Sequence, residues 1–262
     1  MEIELDARTR LEFKVGVSSP MLMVLRAAAN RRQRIELDEF RLTPETPVHE
    51  YQDAFGNRCQ RFEAPTGPFI IESRLLARVC ADPVPGPEAG FVNIPDLPDE
   101  VLSFLLPSRY CESDRAGTLA REVVGNARPG HQQVERICDW VVSKVHYRIG
   151  SGEELRSALE ILERGEGVCR DLSHVVIMLC RALSIPARFV TGYVENLQPM
   201  DLHAWVEVWL EGGWQAFDPM PGQPGPGRLF LACGRDAADV PLFNQFGPEL
   251  RPEVMDVTVV RR

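Results

Sequence analysis

The chain of 262 residues is long enough for two domains, each burying its own core. A hydrophobic content of 44% and a charged content of 26% are those of a folded globular protein and exclude wholesale disorder. With 29 basic against 38 acidic residues the net charge is −9, which disfavours phosphate backbones, so no nucleic acid partner is expected.

The longest apolar runs, residues 21–25 and 175–180, end at Arg26 and Arg181 and fall far short of the roughly 20 residues a membrane span needs. No membrane partner is expected. Residues 1–10 mix acids and bases without an apolar segment, which reads against a secretory leader and for a cytoplasmic location. The seven cysteines form no CxxC pair and fit a reduced compartment better than a disulfide framework. His49, His131, His146, His174 and His203 are dispersed along the chain, so neither a metal nor a cofactor is expected.

Residues 1–81 read as an all-β, sandwich-like domain, with alternating stretches at 9–17 and 34–42 and a turn at Phe55-Gly56-Asn57. Residues 82–98 read as a linker, because Pro83, Pro85, Pro87, Pro95 and Pro98 with Gly86 and Gly90 break every periodic pattern. Residues 99–262 then form an α+β unit with a C-terminal strand. Helices are expected at 100–106, 119–124 and 132–145, the last with Val134, Ile137, Cys138 and Val141 at helical spacing. Ser151 with Glu154 matches a capping box. Leu155, Ala158, Leu159 and Leu162 follow on one face, and Gly165 stands just past the end. A Pro-Gly segment occupies residues 219–227.

Chemistry concentrates in the next stretch. Gly165 and Gly167 lead into Cys169, which opens a helical pattern carried by Leu172, Val175, Val176, Leu179 and Leu183 and stopped by Pro186. A thiol at a helix N-terminus faces unpaired N–H groups and the positive end of the dipole, which favour thiolate and can hold an oxyanion. Cys59, Cys80, Cys111, Cys138, Cys180 and Cys233 lack that setting and read as small buried hydrophobes.

Residues 187–194 read as a strand, and residues 203–210 as a second in which Ala204, Val206, Val208 and Leu210 form the apolar face. His203, Trp205, Glu207 and Trp209 share the other, partly polar face. Glu211-Gly212-Gly213 supplies a hairpin turn into residues 214–218. A two-residue loop at Gly212-Gly213 sets Asp218 opposite Glu207, and a four-residue loop sets it opposite Trp205. Both are on the His203 face, whereas a three-residue loop is not. Taken alone, His203 is an ordinary strand histidine and Asp218 an ordinary Asp-Pro turn. His174 is rejected as the base, because five residues along a helix carry it about 140° around from Cys169.

The segments Gly167-Val168-Cys169-Arg170-Asp171, Ile185-Pro186-Ala187-Arg188, Gly192-Tyr193, His203-Ala204-Trp205-Val206-Glu207 and Phe217-Asp218-Pro219 resemble the transglutaminase-like core, as does Gly234-Arg235-Asp236. The β-rich half is similar to the domain preceding this core in bacterial members. The resemblance implies a papain-like core in which Cys169 is the nucleophile, His203 the base and Asp218 the residue that orients the imidazole. It further implies a cysteine peptidase or amidase that hydrolyses a peptide or protein amide through a thioester. The same residues also serve a protein-glutamine acyltransferase, in which an amine replaces water. A non-catalytic binding protein on the same fold is the third reading, and the intact Cys, His and Asp argue against it. The Cys169 N–H is the natural first oxyanion donor; Tyr147 is a weak candidate for the second and reads better as a packing aromatic in a short strand. Trp205, Trp209 and Trp214 either wall a substrate groove or pack across the hairpin.

Overall fold

The computed structural model describes residues 2–80, 88–220, 227–240 and 242–262. Pro83, Pro85 and Pro87 of the expected linker, and residues 221–226 of the Pro-Gly segment, lie outside them.

Alternation builds the first half. In β1 (Glu2–Val15) the odd positions, among them Ile3, Leu5, Leu11 and Phe13, are buried, while Glu2, Arg8 and Lys14 face solvent. It pairs antiparallel along its whole length with β6 (Gly67–Cys80), and β3 (Gln33–Thr43) and β14 (Val254–Arg261) complete the sheet in the order β14-β1-β6-β3. A second sheet runs β13 (Phe243–Gln245), β2 (Ser19–Arg26), β5 (Arg58–Ala64), β4 (His49–Gln52). Leu5, Leu11, Phe69 and Ile71 of the first sheet share one core with Met21, Leu25 and Phe62 of the second, giving the expected β-sandwich. The turn before β5 is set by Gly56 at φ 80° and by Asp53, whose carboxylate accepts from the N–H groups of Phe55 and Asn57.

The rest is α+β. Helices α1 (Gly117–Val124) and α2 (His131–Lys144) fall where periodicity puts them. Two elements differ. Residues 99–105 form a 3-10 helix rather than an α-helix, with Val101 and Phe104 buried at its three-residue repeat. The helix expected from Ser151 begins later, as α3 (Ala158–Arg164). Its capping box is Ser157 with Glu160, whose carboxylate accepts the Ser157 N–H at 2.7 Å, whereas the Ser151 hydroxyl donates to the Arg148 carbonyl.

Helix α4 (Cys169–Ala182) is buried from Asp171 to Arg181. It packs Leu172, Val175, Val176 and Leu179 with Ala204, Val206, Val208 and Leu210 in one core. Those strand residues belong to β10 (His203–Leu210), inside the antiparallel sheet β11 (Gly213–Phe217), β10, β9 (Ala187–Val194), β12 (Arg228–Gly234). Beside the start of α4, β7 (His146–Tyr147) pairs in parallel with β8 (Glu166–Gly167).

The opposite face of this sheet is not open. Tyr193, Leu229 and Leu231 enter the sandwich core, and Trp205 packs with Val190, Cys233 and Phe55. Glu207 is gripped by Arg188 at 2.8 Å and by Arg32 from the β2–β3 connection. The face expected to be partly polar is therefore covered by the N-terminal half, and His203 is 1% exposed.

Candidate active site

Cys169 is the first residue of α4 and is partly exposed. The helix start is fixed from below: Asp171 Oδ2 accepts the Val168 N–H at 3.0 Å, and its other oxygen accepts from Arg170 at 2.9 Å. Arg170 in turn donates to the Gly152 carbonyl at 3.1 Å. Gly167 permits this closeness, since a Cβ there would lie 2.7 Å from Asp171 Cβ.

His203 opens β10. Its register partner in β9 is Gly192, where an added Cβ would fall 2.1 Å from the Leu229 carbonyl oxygen and 2.8 Å from the Trp205 ring. In the hairpin Leu210 pairs with Gly213, leaving Glu211 and Gly212 at the tip, and the ladder ends at Val206 with Phe217. Asp218 follows at the level of Trp205, on the His203 side. This is the register of the four-residue loop, tightened by one further pair.

The structure brings the three side chains together. His203 Nε2 lies 2.8 Å from Asp218 Oδ2, and a carboxylate only accepts, so Nε2 carries the proton. The Cys169 side chain lies close enough to the imidazole to act on its protonation, and Nδ1 is the ring nitrogen left free by Asp218. Burial favours the neutral ring, but hydrogen bonds to Asp218 and Cys169 and their charges outweigh it and raise the imidazole to about 10. Trp205 stacks beside the ring, with centroids 6.4 Å apart.

Tyr147 lies in electrostatic range of Cys169 and Asp218, and burial first, then those charges, push its phenol up to about 12. It stays a donor at neutral pH. His174 lies elsewhere: fully buried, it stacks on Tyr110 at 5.3 Å, accepts the Ala237 N–H at 3.1 Å, and is held neutral by burial and by Arg170 and Arg181. Trp209 and Trp214 pack edge to face at 5.3 Å across the hairpin, and Trp214 continues onto Phe104 and under Arg188. Packing accounts for them.

Two cysteines depart from the buried expectation. Cys80 is exposed at the end of β6 and Cys138 is partly exposed on α2. Sequence reasoning also missed Arg228, which donates to Asp218 Oδ2 at 3.2 Å. No local pattern links the two, which flank the Pro-Gly segment. Among the described residues no group of three or more His, Cys, Asp or Glu is arranged to hold a metal ion. Nor is any described helix long and apolar enough to cross a membrane.

The sequence profile of the Transglutaminase-like superfamily matches residues 117–219. The crystal structure of a "Putative Cysteine Protease" from Cytophaga hutchinsonii aligns with a TM-score of 0.93 and 31% identity, covering 100% of this chain and 91% of that one. The uncharacterized protein ML0607 of Mycobacterium leprae is 26% identical over 230 residues, 81% of this chain and 80% of its own length. The uncharacterized protein Mb2599c of Mycobacterium bovis is 27% identical over 165 residues, 57% of this chain and 48% of its own, so the chain spans about half the length of that relative.

Proposed function

The chain belongs to the transglutaminase-like superfamily, and we propose that within it the protein is a cysteine-dependent amide hydrolase, cleaving peptide or protein amides through a thioester. The observation that carries the reading is the buried His203 held by Asp218 on Nε2, at 2.8 Å, with the Cys169 side chain near enough to raise the same imidazole. That arrangement has the parts of a nucleophile, a base and an orienting acid.

In this reading the Cys169 thiolate attacks the amide carbon. The carbonyl electrons move to oxygen, which accepts from the Cys169 N–H at the start of α4, with the Tyr147 hydroxyl as second donor. His203 Nδ1–H gives its proton to the amine nitrogen as the C–N bond breaks, leaving a thioester on Sγ. Water then attacks the thioester carbon, gives a proton to His203 and expels the thiolate, releasing the acid. Asp218 keeps Nε2 protonated throughout and so holds Nδ1 toward sulfur. A cytoplasmic location belongs to the same proposal, supported by the seven free cysteines.

The test is a peptide library incubated with and without a labelled primary amine, with products weighed by mass spectrometry. The proposal expects cleaved or deamidated peptides without label. Label incorporation at modest amine concentration, abolished by Cys169→Ala, would make the protein an acyltransferase instead, and the absence of any conversion would overturn both.

A further inference from the structure

We propose that Arg228 is a positioning residue of this site, holding the Asp218 carboxylate for His203, and that side chains of the N-terminal sheets fix the strand that carries it. The inference deepens, and rests on, the reading of Cys169, His203 and Asp218 given above.

Arg228 Nη2 donates to Asp218 Oδ2 at 3.2 Å, the same oxygen that His203 approaches at 2.8 Å. Its guanidinium carbon lies 5.7 Å from the centre of the Trp205 ring, which flanks His203. Both charged side chains are nearly covered, 13% and 6% exposed. A guanidinium does not titrate in the working range, so its grip on Asp218 persists whether His203 is charged or neutral. The carboxylate is thus held through both halves of a cycle in which the imidazole gains and loses a proton.

The backbone around Arg228 is pinned on both sides. One residue earlier, the Gly227 N–H donates to the buried Glu195 carboxylate at 2.9 Å, while the Glu195 N–H donates to the Gly227 carbonyl at 3.1 Å. A Cβ at Gly227 would stand 2.8 Å from that carboxylate. Downstream, β12 pairs with β9 along one edge only. Its register slips between Phe230 and Ala232, and the bulge turns the free backbone groups of Phe230 and Cys233 to the same outer edge. There two primary amides act as a neighbouring strand would. Gln33 donates to the Phe230 carbonyl at 2.8 Å and accepts its N–H at 2.9 Å. Asn57 does the same at Cys233, at 2.7 Å and 2.8 Å. Each amide is itself braced, Gln33 by the Ala28 carbonyl and Asn57 by Asp53.

Among the described residues, the charged and titratable groups around His203 are Asp218 after β11, Arg228 on β12, Cys169 on α4, Asp201 before β10 and, through Cys169 and Asp218, Tyr147 on β7. Removing Arg228 takes away a nearby positive charge and leaves His203 a larger share of Asp218. The imidazolium therefore becomes easier to form.

The test follows the His203 ring by NMR against pH in a Cys169→Ala background, with His203→Gln assigning the signal. Arg228→Met, which keeps an apolar contact on Trp205, is expected to raise the His203 midpoint by roughly one pH unit, and Arg228→Lys to restore most of the native value. Gln33→Ala is expected to move it part of the way, with circular dichroism unchanged. An unmoved midpoint in natively folded Arg228→Met would overturn the proposal. Movement there but none in Gln33→Ala would overturn the part played by the N-terminal sheets. The titration needs no substrate, so a wild-type protein that turns over no peptide while the midpoint still moves would sink the hydrolase reading and leave the hold of Arg228 on Asp218 established.

Discussion

Asp218 and His203, fifteen residues apart in the chain, meet at 2.8 Å because the β10–β11 hairpin turns with Glu211 and Gly212 alone at its tip. Asp218 lies one residue beyond the last paired position, Phe217, so it can aim its carboxylate at the imidazole without being part of the ladder. Asp218→Ala should therefore still fold, with a lowered melting temperature because His203 and Arg228 lose their carboxylate, while turnover per folded molecule falls by about 10²–10⁴. Loss of the fold with unchanged activity per folded molecule would make the acid structural only.

The raised imidazole fixes the pH behaviour. Hydrolysis by this route needs His203 protonated to release the amine, so activity should persist past the ordinary histidine value of 6.5 and decline as pH rises through about 10. The stability linkage has the same sign: a group raised on folding contributes fully below about 6.5, and the contribution is lost through about 10. Rate and melting profiles against pH check both. An alkaline limb centred near 6.5 would mean that Asp218 and Cys169 do not hold the ring.

Selective alkylation tests the nucleophile. Burial raises the thiols of Cys59 and Cys138, and lifts Cys111 and Cys180 to about 12 and Cys233 to about 11. Cys80 is exposed, so the comparison belongs in a Cys80→Ser protein. Iodoacetamide at neutral pH should then label Cys169 first, read by peptide mapping. Labelling of Cys59 or Cys111 at an equal rate would count against an activated thiol.

Much of this site was legible in the sequence because its elements carry local signals. Strict alternation gives the bounds of β10 to the residue, residues 187–194 read as the strand before it, and the two glycines before Cys169 with Pro186 after the apolar stripe frame α4. Hairpin parity narrows Asp218 to two positions on the His203 face but cannot choose between them. Where two local signals tie, packing decides. Ser151-x-x-Glu154 and Ser157-x-x-Glu160 match the same pattern, yet Leu155 is 55% exposed while Ala158 and Ile161 are buried, so the helix starts at the second. Long-range pairing leaves no local trace. A C-terminal strand is expected, but nothing in residues 243–261 announces that they pair with β2 and β1, nor in Gln33 and Asn57 that they cover the edge of β12.

Gly192 is predicted to tolerate no side chain. Opposite His203, a Cβ would meet the Leu229 carbonyl at 2.1 Å, and that oxygen belongs to the neighbouring strand rather than to a side chain that can swing away. Gly192→Ala should cost on the order of 3 kcal/mol or more and depress activity with it. Denaturant unfolding measures the cost, and a change below about 1 kcal/mol would show the β9–β12 approach to be looser than described.

The most direct test of the central claim is mass spectrometry of the protein acid-quenched during turnover of a peptide mixture, with the adduct mapped to its residue. An acyl group is expected on Cys169, discharged when turnover is allowed to finish and missing from Cys169→Ala along with all cleavage. Cleavage that survives in Cys169→Ala, or an acyl group carried on another residue, would contradict it.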